Sequence, residues 1–183
     1  MRSTSEEAAV DQITKIQIIE GAPQTLLRRS FKAPQDVVFD AWTKPETIAK
    51  WWGPRVVEVV ECSMDLREGG SYRITMQMPD GQRYPMFGAL HDVDAPNRYS
   101  LTVRLSEHPA EWIELFRPKG TALEDIAAEW FYEISFSNLD GATAVEVLAT
   151  YPVMEDRDAM ISMGGEVGWG ESFDKLDALL RSS

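Results

Sequence analysis

Hydrophobic and polar residues alternate along much of the chain, and this pattern predicts a fold dominated by β-strands. The clearest alternation spans 71–78, where Tyr72, Ile74, Met76 and Met78 share one face of an extended segment. Further strands are predicted at 24–31, 57–62, 83–93, 98–105, 129–137 and 143–151, with another extended run at 13–19. Turn sequences such as PDG at 79–81 separate them. The pattern therefore predicts an antiparallel meander of about six or seven strands.

Helical periodicity replaces the alternation in three places. Two short helices are predicted after the first strand, because prolines with acidic neighbours at 33–36 and 45–46 favour helix starts. The third helix is predicted from about 155 to 180, with apolar residues at helical intervals: Met160, Met163, Val167, Phe173, Leu176 and Leu180. Such a helix can bury its apolar stripe only by crossing the concave face of the sheet. The predicted fold class is α+β, with a cavity where the curved sheet and the helix separate.

Aromatic residues are concentrated in two further segments. Three of the six tryptophans, Trp42, Trp51 and Trp52, fall within eleven positions on the two short helices. Rings of this size predict that the helices dock on the open end of the sheet, where they close a core or line a cavity. The long connection 106–128 carries Trp112 and Phe116, and is predicted to form a short amphipathic helix or a lid.

Composition narrows the class of function. The chain has 183 residues, which suits a single domain at 13–183 after a polar tail at 1–12 that we expect to be disordered. Its net charge of -12 and pI near 4.6 disfavour nucleic acid and membrane surfaces as partners. The absence of a signal peptide and of a membrane-spanning run predicts a cytoplasmic location. A single cysteine, Cys62, excludes an internal disulfide.

Several motifs in a fixed order resemble one protein family. They are AWTKPE at 41–46, WWGP at 51–54, MDLREGGSY at 64–72, MPDG at 78–81 and GW at 168–169. This combination is similar to the bacterial relatives of the activator of Hsp90 ATPase, in the START-like, Bet v 1-like (SRPBCC) superfamily. The resemblance runs from about 26 to 180 and implies a helix-grip fold around a cavity. Superfamily members include lipid and hormone carriers, polyketide cyclases and co-chaperone domains, so the fold alone does not fix a function.

Candidate ligand-binding residues follow from the predicted cavity. Glycines inside a helix cost up to about 1 kcal/mol each relative to alanine, so Gly164 and Gly168 need a compensating role. They either allow close packing on the sheet or leave room for a guest. Methionines and aromatic rings on the facing strands either line a pocket or fill a solid core. The predicted ligand-binding residues are Trp52, Tyr72, Ile74, Met76, Met78, Phe87, Trp112, Phe116, Trp130, Tyr132, Met163, Gly164, Val167 and Gly168.

The sequence contains no recognisable catalytic motif and no metal-binding motif. His91, His108 and Cys62 do not have the spacing of metal ligands, and no nucleotide-binding or serine-hydrolase motif is present, so neither a metal nor a cofactor is predicted. His91 is a weak candidate for a general base if it faces the cavity. It cannot pair with Asp92, because adjacent strand residues face opposite sides. The alternative is a hydrogen-bonded structural histidine.

Three functions remain open. The first is binding of a small apolar or amphipathic molecule between the sheet and the C-terminal helix. The second is a chaperone-interaction module for an Hsp90-type partner, to which the acidic charge adds weak support. The third is a cyclase-like or hydrolase-like enzyme that uses the cavity. Open sheet edges and tryptophan-rich surface also indicate a homodimer.

Overall fold

Eight antiparallel strands form one sheet in this computed structural model, which describes residues 14–115 and 129–182. The order of the strands across the sheet is β1-β2-β8-β7-β6-β5-β4-β3. Their bounds are β1 Lys15–Ile19, β2 Gln24–Phe31, β3 Glu58–Met64, β4 Ser71–Gln77, β5 Arg83–Asp94, β6 Arg98–Val103, β7 Trp130–Asn138 and β8 Thr143–Thr150. The helices are α1 Gln35–Thr43, α2 Pro45–Trp51, α3 Ala110–Ile113, α4 Met154–Ser162 and α5 Gly165–Arg181.

The architecture confirms the helix-grip fold and changes two details. The sheet has one or two strands more than predicted, because Lys15–Ile19 pairs with β2 and forms a strand of its own. The two short helices therefore follow the second strand instead of the first. The predicted tail at 1–12 lies outside the described residues.

The C-terminal helix is broken in two, which corrects the prediction of a single helix over 155–180. Gly164 separates α4 from α5 and has a left-handed backbone, with φ of +84°. Its N–H donates to the Ile161 carbonyl at the end of α4, and its own carbonyl accepts the Gly168 N–H at 3.0 Å in the first turn of α5. Glycine is the residue that adopts this conformation without steric cost, so the helix is interrupted here.

The tryptophan-rich helices pack against α5 at one end of the sheet. Trp51 is fully buried, and its Nε1 donates a hydrogen bond of 2.9 Å to the Ala41 carbonyl. The Trp42 ring is also buried, with its centroid 4.9 Å from that of Trp51 and 5.8 Å from that of Phe173 on α5. These contacts form part of the hydrophobic core, and they hold Trp52 and the start of α5 at the edge of a cavity.

Candidate functional site

A cavity of about 280 Å³ lies between the sheet and the C-terminal helices. Side chains from β4 to β7 and the residues that follow β6 form its floor: Met76, Met86, Val103, Leu105, Trp130 and Tyr132. The two helices supply its roof: Met160, Met163, Gly164, Gly165, Gly168, Trp169 and Ser172. Its rim is formed by Trp52, Gly53, Pro54, His108 and Trp112. The lining is dominated by apolar side chains, as in most sites for small organic molecules.

Strand register decides which side chains reach the floor. Val103 on β6 lies opposite Trp130 on β7, so both point to the concave side. On the other side of the cavity, Met86 on β5 lies opposite Ile74 on β4 and shares its face. Because side chains alternate along a strand, Phe87 faces the other way. It lies opposite Arg73, whose guanidinium carbon is 5.2 Å from the centroid of the phenyl ring.

The roof has open space at a glycine. A Cβ atom added at Gly168 would meet no heavy atom within 4 Å outside its own helical turns, so close packing does not require glycine there. A Cβ at Gly165 would instead lie 2.9 Å from the Met160 carbonyl oxygen. Of the two roles considered for Gly168, room for a guest agrees with the geometry and close packing does not. Gly164 has the same open space but is required by its left-handed backbone.

His108 is the rim residue with the most unusual environment. The residue is only 7% exposed, and its ring centroid lies 4.2 Å from that of Trp112 and 5.3 Å from that of Tyr84. Within the described residues, neither ring nitrogen makes a hydrogen bond of normal geometry. Burial lowers the pKa of the imidazole to about 4, and the nearby Pro85 carbonyl opposes this shift. The ring is therefore neutral at physiological pH.

The structure brings together part of the predicted ligand-binding set. The predicted residues that line the cavity are Trp52, Met76, Trp112, Trp130, Tyr132, Met163, Gly164 and Gly168. Tyr72 and Ile74 belong to the solid core, each 2% exposed, and the Tyr72 hydroxyl donates to the Thr102 carbonyl. Val167 is 67% exposed and points away from the cavity. Met78 follows the end of β4 and is not among the lining residues.

Phe87 and Phe116 complete the predicted ligand-binding set. Phe87 was placed in the cavity by the sequence, but the pairing of β4 with β5 puts it on the opposite face and Met86 on the cavity face. The PDG turn at 79–81 sets the register of β4 with β5, and this register is the feature of the sequence that identifies Met86 as the cavity residue. Phe116 lies outside the described residues.

His91 lies away from the cavity. Its neighbour Leu90 is fully buried in the core, and His91 lies on the opposite face with its side chain 37% exposed. Its Nδ1 atom is 3.7 Å from a carboxylate oxygen of Glu68, which is itself exposed. The proposed general base is therefore not positioned to act on a molecule in the cavity.

Neither a metal-ligand cluster nor a membrane-spanning helix occurs in the part of the chain that the structure describes. No group of three or more histidine, cysteine, aspartate or glutamate side chains is arranged to hold a metal ion within residues 14–115 and 129–182. Over the same ranges, no helix has the length and apolar character needed to cross a membrane.

Comparison with known proteins gives a family and several structural relatives. The family model described as Activator of Hsp90 ATPase homolog 1-like protein matches residues 32–181. A protein from Nitrosomonas europaea is 25% identical, with a TM-score of 0.71 over 90% of this chain and 97% of its own. A protein from Rhodobacter sphaeroides is 21% identical, with a TM-score of 0.74 over 92% and 99% of the two chains.

A third relative is described by the same family name. It is the AHSA1 protein from Silicibacter pomeroyi, 22% identical, with a TM-score of 0.64 over 86% of this chain and 97% of its own. No curated protein matches the chain at a significant level.

Proposed function

The chain belongs to the family of Activator of Hsp90 ATPase homolog 1-like proteins, and we propose that it binds a small apolar or amphipathic molecule in its cavity. The observation that carries this proposal is the space beneath Gly168. A helical glycine lowers stability, yet no neighbour requires the missing side chain. A guest in the cavity supplies the compensating role.

The cavity volume limits the size of the guest. At about 280 Å³ it lies just below the range of roughly 300–1,000 Å³ that is usual for ligand pockets. An engineered apolar cavity of about 150 Å³ in another protein accommodates benzene. A bicyclic aromatic compound or a short alkyl chain with a polar end therefore matches the available space.

The character of the lining supports an apolar body for the guest. Four methionines, Met76, Met86, Met160 and Met163, bring flexible thioether chains to the cavity from both the sheet and the helices. Methionine adapts to irregular shapes and makes favourable contacts with aromatic rings. Tryptophan rings at the rim, the floor and the roof add flat surfaces on which an aromatic guest can stack.

Ligand screening with matched variants tests the proposal. Aromatic and short alkyl compounds are screened by native mass spectrometry and by quenching of intrinsic tryptophan fluorescence. Gly168→Leu projects a side chain into the cavity and is expected to weaken binding at least tenfold. Val167→Leu is the matched control, because it places the same side chain on an adjacent, exposed position of α5. Failure of every compound to bind, or equal binding by Gly168→Leu and the wild type, would overturn the proposal.

The enzyme and the chaperone-interaction module are the two alternatives to ligand binding. A cyclase or hydrolase reaction through His91 loses its support, since that residue lies on the opposite face of the sheet from the cavity. Interaction with an Hsp90-type chaperone stays a prediction from the sequence resemblance. Stimulation of the ATPase of the host's Hsp90 by the purified protein measures it directly.

A further inference from the structure

We propose that His108 is the polar recognition group of the cavity, and that the ligand carries a hydroxyl or N–H group that donates a hydrogen bond to its imidazole. This inference rests on the proposed function, because it specifies the class of molecule that the same cavity binds. It adds a chemical requirement to what is otherwise selection by size and apolar character.

The hydrogen bonding of His108 is incomplete. Its ring lines the cavity, and both nitrogens are buried without a hydrogen bond of normal geometry to the described residues. Buried polar atoms of this kind are uncommon in folded proteins, because they lose their contacts with water and gain nothing in return. A donor on a bound molecule would give one of these nitrogens a partner.

The protonation state of His108 determines which kind of group the ligand must carry. A neutral imidazole has one N–H donor and one acceptor nitrogen. The Pro85 carbonyl is an acceptor close to the ring, outside normal hydrogen-bond geometry, and it favours the tautomer whose N–H faces it. Burial lowers the pKa to about 4, so the other nitrogen keeps its lone pair at neutral pH and can only accept. The ligand must therefore donate.

The orientation of the imidazole decides which of its ring atoms faces the ligand. A rotation of 180° about the Cβ–Cγ bond exchanges the nitrogen and carbon positions of an imidazole, and the two orientations occupy nearly the same volume. The aromatic rings of Trp112 and Tyr84 hold the imidazole at the rim through T-shaped contacts. The proposal requires the orientation in which the acceptor nitrogen faces the cavity.

Ser172, another polar side chain of the lining, already makes a hydrogen bond within the protein. The Ser172 hydroxyl donates a hydrogen bond of 2.8 Å to the Gly168 carbonyl within α5. This bond occupies the Ser172 hydroxyl within its own helix. His108 differs from Ser172, because neither of its ring nitrogens has a hydrogen-bond partner among the described residues.

A matched pair of probes tests the requirement for a donor. Dissociation constants of 2-naphthol and naphthalene, which differ by a single hydroxyl group, are measured by calorimetry for the wild type, His108→Phe and His108→Gln. The wild type is expected to bind 2-naphthol about tenfold more tightly, a difference typical of one buried hydrogen bond. His108→Phe is expected to abolish this preference while retaining naphthalene. His108→Gln keeps a carbonyl acceptor and should retain part of it.

A control variant and a second measurement separate the outcomes. His91→Phe makes the same replacement outside the cavity and is expected to leave both affinities unchanged. The ¹⁵N chemical shift of the His108 acceptor nitrogen should move with 2-naphthol and not with naphthalene, whether or not the variants fold well. Equal affinity of the wild type for both probes, or a preference that survives in His108→Phe, overturns the role of His108 alone. Failure of both probes to bind the wild type overturns the proposed function and this inference with it.

Discussion

Replacement of Gly168 by alanine is expected to make the protein more stable. The residue lies within α5, where alanine is favoured over glycine by about 0.5–1 kcal/mol because it loses less backbone entropy on folding. The added methyl group meets no heavy atom within 4 Å, so it neither clashes nor gains packing. The expected gain in stability therefore comes entirely from the higher helix propensity of alanine. For a domain of this size it raises Tm by about 1–4 °C.

Urea denaturation at neutral pH measures this change, with Gly170→Ala as the matched control. Gly170 lies on the same helix, and a Cβ there would make an ordinary contact of 4.0 Å with Thr14. Both variants are expected to gain similar stability, while only Gly168→Ala weakens ligand binding because only Gly168 lines the cavity. Loss of more than about 0.5 kcal/mol in Gly168→Ala would refute the argument. It would mean that α5 packs closely at this point and that the space beneath it is closed.

Three further predictions concern the supports of the cavity. Gly164→Ala is expected to destabilise the protein by about 1–2 kcal/mol in urea denaturation, because alanine must adopt a left-handed backbone there. Trp51→Ala is expected to cost about 3–5 kcal/mol by the same measurement, with Lys50→Ala as an adjacent control, since it empties a fully buried site in the core. The pKa of His108 is lowered from its ordinary value to about 4, so the unfolded chain takes up a proton first as the pH falls. The wild type should therefore lose about 2–3 kcal/mol more than His108→Gln between pH 7 and pH 4.5, and an equal loss in both proteins would contradict the assigned cause.

The overall fold could be predicted because its signals are local and repeated. The alternation from Tyr72 onward identifies β4 and its buried face, and the prolines at 34 and 45 mark the starts of the two short helices. Each signal depends on a few neighbouring residues, and the antiparallel order from β3 to β6 and from β7 to β8 follows from the short turns between these strands. These are the properties that amino-acid patterns report well.

The break at Gly164 could not be predicted from periodicity. Met160, Met163 and Val167 continue at helical spacing through the break, although α4 ends at Ser162 and α5 begins at Gly165. One left-handed residue changes the direction of the chain without changing this spacing. Only the pair of glycines marked the position, and glycine pairs also occur within continuous helices.

The sequence predicted only some of the cavity residues. How deeply a side chain is buried depends on residues that are distant along the chain. Met86 and Phe87 are both apolar and adjacent, and the register with β4 decides between them. His108 belongs to no periodic segment, so the sequence gives no indication that it faces a cavity. Its burial depends on contacts with Tyr84 and Trp112, which the sequence does not place near one another in space.

The pairing of β2 with β8 has a consequence for the order in which the chain can fold. Gln24 lies opposite Thr150, a separation of 126 residues. Strand β2 is therefore synthesised long before β8, the strand with which it pairs. At roughly 5–20 residues per second, β8 follows β2 from the ribosome after on the order of 6–25 s. During this interval β2 has only β1 beside it, and the apolar side chains of Leu27 and Phe31 remain uncovered. The nascent chain therefore carries β2 without its β8 partner for many seconds of synthesis.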